Sequence, residues 1–278
     1  MTELRVALIQ LRTPATQAAA LAQAEPLIRQ AAAEGATFIL TPEGTNILQR
    51  DKAVLLPLLR TMDQDPCVQG LVALAAELKV WLLIGSALVA DTDGQAVNRA
   101  LLVSPAGQIT ATYDKMHMFD VDLPTGEKAR ESETYRPGTQ AVVADIPGAR
   151  LGLTICYDMR FPYLYRALAK AGAQIITVPA AFTRPTGQAH WEVLLRARAI
   201  ETGSFILAPA QGGRHEDGRG TWGRSIAIAP WGELLAQSDD DEPGVVMATL
   251  DLDAVAKARQ AIPALKNERA FTGPDAAS

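Results

Sequence analysis

Two cysteines, Cys67 and Cys156, are all the thiols in 278 residues, too few for a disulfide framework, so the expected compartment is the reducing cytoplasm. Aromatic residues are 5% of the chain and histidines number three. His117, His190 and His215 are too scattered to suggest a zinc site, and no other metal or cofactor motif replaces it. No run approaches the roughly 20 apolar residues of a membrane span. The opening MTELRVALIQL is too acidic and too short in its apolar stretch for a signal peptide. No basic tract exists either: 26 Lys and Arg stand against 31 Asp and Glu, a net charge of -5, which excludes nucleic acid and anionic membrane as expected partners.

What is present is an ordinary globular composition, 48% hydrophobic and 21% charged. A chain of this length can bury a core large enough to dispense with disulfides and metals. Short apolar runs alternate with helical patterns. Strands are expected at Leu4–Gln10, Thr37–Thr41, Val80–Ala90, Arg150–Ile155, Gln174–Val178, Phe205–Ala208 and Val245–Leu250. Helices are expected over Thr16–Glu34 (with Pro26 kinking or breaking it), Pro66–Leu78, Tyr163–Ala171, His190–Thr202 and from about Asp253. Hairpins are expected at Ala96–Tyr113 through Pro105-Ala-Gly107 and at Ser225–Ala236 through Pro230-Trp-Gly232. Residues 116–140 read as a long irregular loop holding Pro124, Gly126, Pro137 and Gly138. With no linker or repeat, the expectation is one α/β domain over 1–278 with mixed sheets, its last ten or so residues a tail.

In α/β sheets, ligands sit beyond the carboxyl ends of strands. Three apolar runs end on reactive side chains there: Glu43 after ATFILTP, Lys115 after QITATYD and Cys156 after RLGLTI. A thiol is a nucleophile only as thiolate. A carboxylate can take its proton, and an ammonium can stabilise both the thiolate and a later oxyanion, together with a backbone N–H such as that of Tyr157. Taken singly, each residue has a plainer reading: a buried small hydrophobe, a turn carboxylate, an edge charge. A Cys–His hydrolase built on Cys156, or an inactive binding protein, are the competing readings.

The contexts TPEG, YDKMHMFD and CYDMRFP resemble, in order and spacing, the three signatures of the nitrilase (carbon–nitrogen hydrolase) superfamily. The resemblance runs nearly end to end. It implies a four-layer αββα sandwich, a Glu43–Lys115–Cys156 triad and a second glutamate in the loop after the lysine. Glu131 in RESETYRPG matches that position best, with Glu133 next. The run AHWEVLLRARAIETGSFILAPAQGGRHE and the turn PWG are similar to the Nit branch, most of all its deaminated-glutathione amidases, with the ω-amidases second. N-carbamoyl amide hydrolysis is a further alternative, and nitriles fit less well. Homodimers or larger homo-oligomers, no cofactor and a small-molecule amide are implied as well. A substrate with two carboxylates needs cations, for which Arg160, Arg184 and Arg214 are the candidates; Phe182 and Thr183 are candidate pocket walls. Two departures stand out: Tyr163 occupies a position where many members carry glutamate, and Pro26 interrupts a helix expected to be continuous.

Other patterns carry less. Gly218-Arg-Gly220-Thr-Trp-Gly223 matches G-x-G-x-x-G, but it precedes a strand and not a helix, so it reads as a turn. Cys67 reads as a helix-start residue, Trp81 and Trp191 as packing, and the acidic run Asp239–Glu242 as a solvated turn.

Overall fold

The computed structural model describes residues 3–123, 126 and 128–273; Pro124 and the end of the expected tail, 274–278, lie outside the described residues. In chain order the first half runs β1 (Glu3–Gln10), α1 (Gln17–Ala33), β2 (Phe38–Leu40), α2 (Lys52–Leu55), α3 (Pro66–Leu78), β3 (Trp81–Ala90), β4 (Ala96–Val103), β5 (Ile109–Asp114), β6 (Asp120–Asp122) and β7 (Lys128–Arg130). The second half runs β8 (Val142–Ile146), β9 (Ala149–Leu153), α4 (Pro162–Lys170), β10 (Ile175–Thr177), α5 (Arg184–Thr202) and β11 (Phe205–Ala208). It closes with β12 (Gly212–Arg214), β13 (Gly220–Trp222), β14 (Ile226–Ile228), β15 (Leu234–Gln237), β16 (Gly244–Asp251) and α6 (Asp253–Ala261).

Two six-stranded mixed sheets result, ordered β16-β1-β2-β3-β4-β5 and β15-β14-β11-β10-β9-β8. In each, the central three strands are parallel and the outer pairings antiparallel. Strand alternation then separates two faces. Along β1, Ala7 and Ile9 pack with Ala24 and Ile28 of α1 and with Val68 and Leu71 of α3. Val6 and Leu8 turn the other way, into the core shared with Leu151, Leu153 and Ile175 of the second sheet. On that sheet a Cβ at Gly152 would stand 3.1 Å from Leu168, so this face receives α4. The layering is helix, sheet, sheet, helix.

Four expectations change. Pro26 neither breaks nor ends α1. Pro26 and Ala22, the residue whose carbonyl it leaves without its helical partner, both lie on the exposed face, where that loss costs least. Helix α5 starts at Arg184, six residues before His190, because Pro185 in its first turn favours initiation, and it ends at Gly203 with φ +57°. Residues 116–140 are not irregular throughout: β6 pairs with β7, and a 3-10 turn follows at Glu131–Glu133. Strand β8, absent from the expectation, forms a hairpin with β9 through Pro147-Gly148.

Candidate active site

The carboxyl ends of β2, β5 and β9 converge where the two sheets meet. Glu43 follows β2 on a loop whose shape comes from an irregularity in β3, where the pairing with β4 shifts between Ile84 and Ala87. At that shift the Gly44 N–H donates to Ser86 Oγ (2.9 Å), and the backbones of Ser86 and Pro42 join through Ser86 N–H at 3.1 Å. Gly85 is there because nothing larger fits: a Cβ would lie 1.8 Å from Thr41 O and 2.5 Å from Pro179. Asn46, fully buried, ties the far side of the loop to Asp65, the N-cap of α3 (2.8 Å).

Lys115 leaves β5 fully buried, its N–H held by Asn98 O at 2.9 Å. Its ammonium donates to Glu43 Oε1 (2.8 Å) and to both oxygens of Glu131 (2.9 and 2.8 Å). Asn98 Nδ2 donates to the same two carboxylates, at 2.9 Å to Glu43 and 3.4 Å to Glu131. The other Glu43 oxygen accepts the Ala181 N–H (2.9 Å), and Glu131 also accepts the Phe119 N–H (2.6 Å). Glu43 therefore has no freedom to turn away.

Cys156 opens a five-residue 3-10 turn, Cys156–Arg160, with φ +50°, a backbone region that side chains rarely adopt. Its N–H donates to Pro179 O at 2.9 Å. Two buried groups pin the turn from behind. Asp158 accepts from Tyr113 and the Ile155 N–H, and Arg198 of α5 donates to Met159 O at 2.8 Å.

The electrostatics follow from burial against pairing. Burial pushes the Cys156 thiol well up, and the adjacent Glu43 carboxylate adds to this; Lys115 pulls the other way without prevailing. Burial also pushes Glu43 up, but the Lys115 ammonium with hydrogen bonds from Cys156, Lys115 and Asn98 overcomes it and leaves the carboxyl below its ordinary range. Glu131 ends above its ordinary range, through burial and the nearby Glu43 charge. Lys115 is held firmly protonated between two carboxylates, against the effect of burial. The proton thus rests on sulfur, beside a carboxylate free to receive it. A cavity of about 450 Å³ opens over Glu43, Lys115, Glu131 and Cys156, with Phe182 and Thr183 in its wall.

Comparison with known proteins identifies the family. The family model described as carbon–nitrogen hydrolase matches residues 5–260. The chain belongs to the carbon–nitrogen hydrolase family. A deaminated glutathione amidase of Yersinia enterocolitica is 39% identical over 272 residues, 97% of this chain and 94% of that one. The C. elegans NitFhit protein superposes with a TM-score of 0.90 at 32% identity; the match covers 96% of this chain and 65% of that longer one. An amidase from Nesterenkonia sp. AN1, solved with acrylamide added to its active-site cysteine, superposes with a TM-score of 0.78 at 25% identity, covering 94% of this chain and 98% of that one. This carbon–nitrogen hydrolase acts on amides.

In this carbon–nitrogen hydrolase six of the ten expected site residues line the cavity: Glu43, Lys115, Glu131, Cys156, Phe182 and Thr183. The other four do not. The Tyr157 ring packs against Phe119 and Phe161, and the Arg160 guanidinium lies over the rings of Tyr157 and Phe182, 3.2 Å from His190 Nδ1. Arg184 pairs with Asp241, and Arg214 is exposed on β12. Glu133 lines the cavity too, but it pairs with Lys52 and not with Lys115. The acidic run is a solvated bend, with Asp239, Asp240 and Glu242 exposed, held by Gln10, which donates to Asp240 O and Glu242 O, and by Arg12, which pairs with Glu242. Asn98 is the residue sequence reading missed; an amide in the middle of the apolar strand AVNRALLV was its signal. Among the described residues no cluster of side chains could hold a metal ion, and no helix is long and apolar enough to cross a membrane.

Proposed function

We propose that the chain hydrolyses a linear amide through a Cys156 thioester, with Glu43 as general base and acid, Lys115 as oxyanion stabiliser and Glu131 as the group that positions Lys115. Glu43 takes the Sγ proton as sulfur attacks the amide carbon. The Lys115 ammonium and the Tyr157 N–H hold the resulting oxyanion. Glu43 returns the proton to the leaving nitrogen and the C–N bond breaks. A water then gives a proton to Glu43 as its oxygen attacks the thioester carbon; the C–S bond breaks, the acid departs, and Glu43 returns the proton to sulfur. The observation that carries this reading is the doubly fixed Glu43 carboxylate, one oxygen on Lys115 and Asn98 and the other on Ala181 N–H, beside a thiol whose proton rests on sulfur. The cysteine adduct of the Nesterenkonia amidase supports the same role for Cys156. The catalytic unit is the whole described chain, since Glu43 and Lys115 come from one sheet and Cys156 from the other.

The favoured substrate is deaminated glutathione, giving 2-oxoglutarate and cysteinylglycine, in line with the named relatives. The test is purified protein on deaminated glutathione and 2-oxoglutaramate side by side, with Cys156→Ala as control. The expected result is a preference of ~10-fold or more in kcat/KM for the first, about 1.4 kcal/mol in transition-state binding, and no turnover by the mutant. A reversed preference assigns an ω-amidase, and turnover by the mutant overturns the nucleophile.

A further inference from the structure

The cavity mouth carries more positive charge than its own carboxylates neutralise. Lys115 is held by Glu43 and Glu131, Lys52 by Glu133 (2.6 Å) and Arg130 by Asp122 (2.6 Å). Arg50 and Arg219 also line the cavity. They come from loops far apart in sequence and are clipped together by one carboxylate, Asp217, whose side chain is only 1% exposed. Asp217 Oδ2 accepts the Arg50 N–H (3.0 Å) and Arg219 Nε (2.7 Å), while Oδ1 accepts the Arg219 N–H (3.0 Å). The Arg50 guanidinium folds over the turn between them: its Nη2 lies 3.8 Å from where a Cβ of Gly218 would stand.

One buried carboxylate thus joins the Arg50 backbone to the Arg219 guanidinium. Among the described residues the Arg50 guanidinium has no acidic partner, and Arg219 meets Asp217 only through Nε, so its terminal nitrogens face no acid. Both arginines line the cavity, and a guanidinium fork fits a planar carboxylate in two-point contact. We propose that Arg50 and Arg219 seat a carboxylate of the substrate, so that the site selects amides carrying a free acid over neutral ones. The inference rests on the amidase reading of the cavity and supplies the recognition that Arg160, Arg184 and Arg214 were expected to give.

The test compares deaminated glutathione with its dimethyl ester on wild type, Arg50→Gln, Arg219→Gln and the two Arg→Lys variants. Wild type should favour the free acid by ~10-fold or more in kcat/KM. Each Gln variant should cut that ratio at least threefold through KM, and the Lys variants should recover part of it. A ratio that survives both Gln substitutions overturns the proposal. A wild type that turns over neither compound defeats the substrate reading alone. The arginines are then read from protection of Cys156 against iodoacetamide by glutarate or N-acetylcysteinylglycine. Protection in wild type that is lost in the Gln variants sustains the proposal; protection by neither acid, or protection the variants keep, overturns it.

Discussion

The Tyr113 hydroxyl donates to Asp158 Oδ2 over 2.7 Å, in a place closed to solvent. Tyr113 belongs to the last strand of the first sheet, and Asp158 stands two residues beyond Cys156 on the second. The same carboxylate accepts the Ile155 N–H (2.8 Å) and the His117 N–H (3.1 Å), and it faces His117 Nδ1 at 2.6 Å. A positive φ at a residue with a Cβ costs about 1 kcal/mol and persists only where its surroundings over-determine it. Asp158 provides that determination.

Replacing this brace should loosen the nucleophile along with the fold. Asp158→Asn is expected to lower stability by ~2 kcal/mol or more, since it removes a buried acceptor of several bonds, and Tyr113→Phe by ~1 kcal/mol. Urea unfolding measures both. A midpoint for Asp158→Asn indistinguishable from wild type would show the brace to be idle.

Asn98 should act on chemistry through charge. Without its Nδ2 donor the Glu43 carboxylate loses one of the bonds that hold it low. A carboxyl whose pKa rises is protonated at higher pH, so the acid limb of the kcat/KM profile in Asn98→Leu moves upward. At neutral pH, kcat/KM is expected to fall ~10-fold, the effect of about 1.4 kcal/mol. A profile that drops without shifting would mean that Asn98 shapes the site and leaves its proton affinity alone.

The two thiols should differ sharply in reactivity. Cys67 is fully buried at the start of α3, and burial with Asp65 beside it pushes its thiol up. Cys156 also has a raised pKa, but it opens on the cavity next to a base. Iodoacetamide at neutral pH, read by peptide mass mapping, should label Cys156 at least ~10-fold faster than Cys67, and Glu43→Gln should erase most of that difference. Equal labelling of both would count against an activated thiol.

Acid should destabilise the protein through His215, which burial holds down at a pKa of about 4. In the unfolded chain the imidazole titrates near about 6.5. Between those values the unfolded state binds more protons, so stability present above about 6.5 is lost as pH falls toward about 4, to a total of ~3 kcal/mol. His215→Gln, which keeps a polar group toward Thr221, should flatten the stability profile in that window. Parallel profiles for the mutant and wild type would exclude His215 as the source.

The alternation of strands and helices was legible because the inner strands, such as β2, β3, β10 and β11, bury both faces and read as continuous apolar runs. Glu43, Lys115 and Cys156 were legible because each follows the carboxyl end of a strand. Glu131 came only through family resemblance; sixteen residues separate it from Lys115, and no local pattern links them. The first turns of α5 were hidden by Pro185 and Gly187, which also suit a loop. Gly187 is required there, because a Cβ would lie 2.3 Å from the Trp222 side chain. Arg50 and Arg219 were beyond reach, since their meeting depends on a buried aspartate 167 residues from the first of them.

Gly85, the spacer between Thr41 and Pro179, has a consequence for how the enzyme comes into being. It lets the loop after the first sheet's β2 approach Pro179, which follows β10 of the second, and the base and the thiol arrive from these two sheets. A partly folded chain with only one sheet formed holds either the Glu43–Lys115 pair without a nucleophile or a thiol without its base. Chemistry therefore begins only at the final docking of the halves, and the onset of turnover during refolding is a clock for that last event.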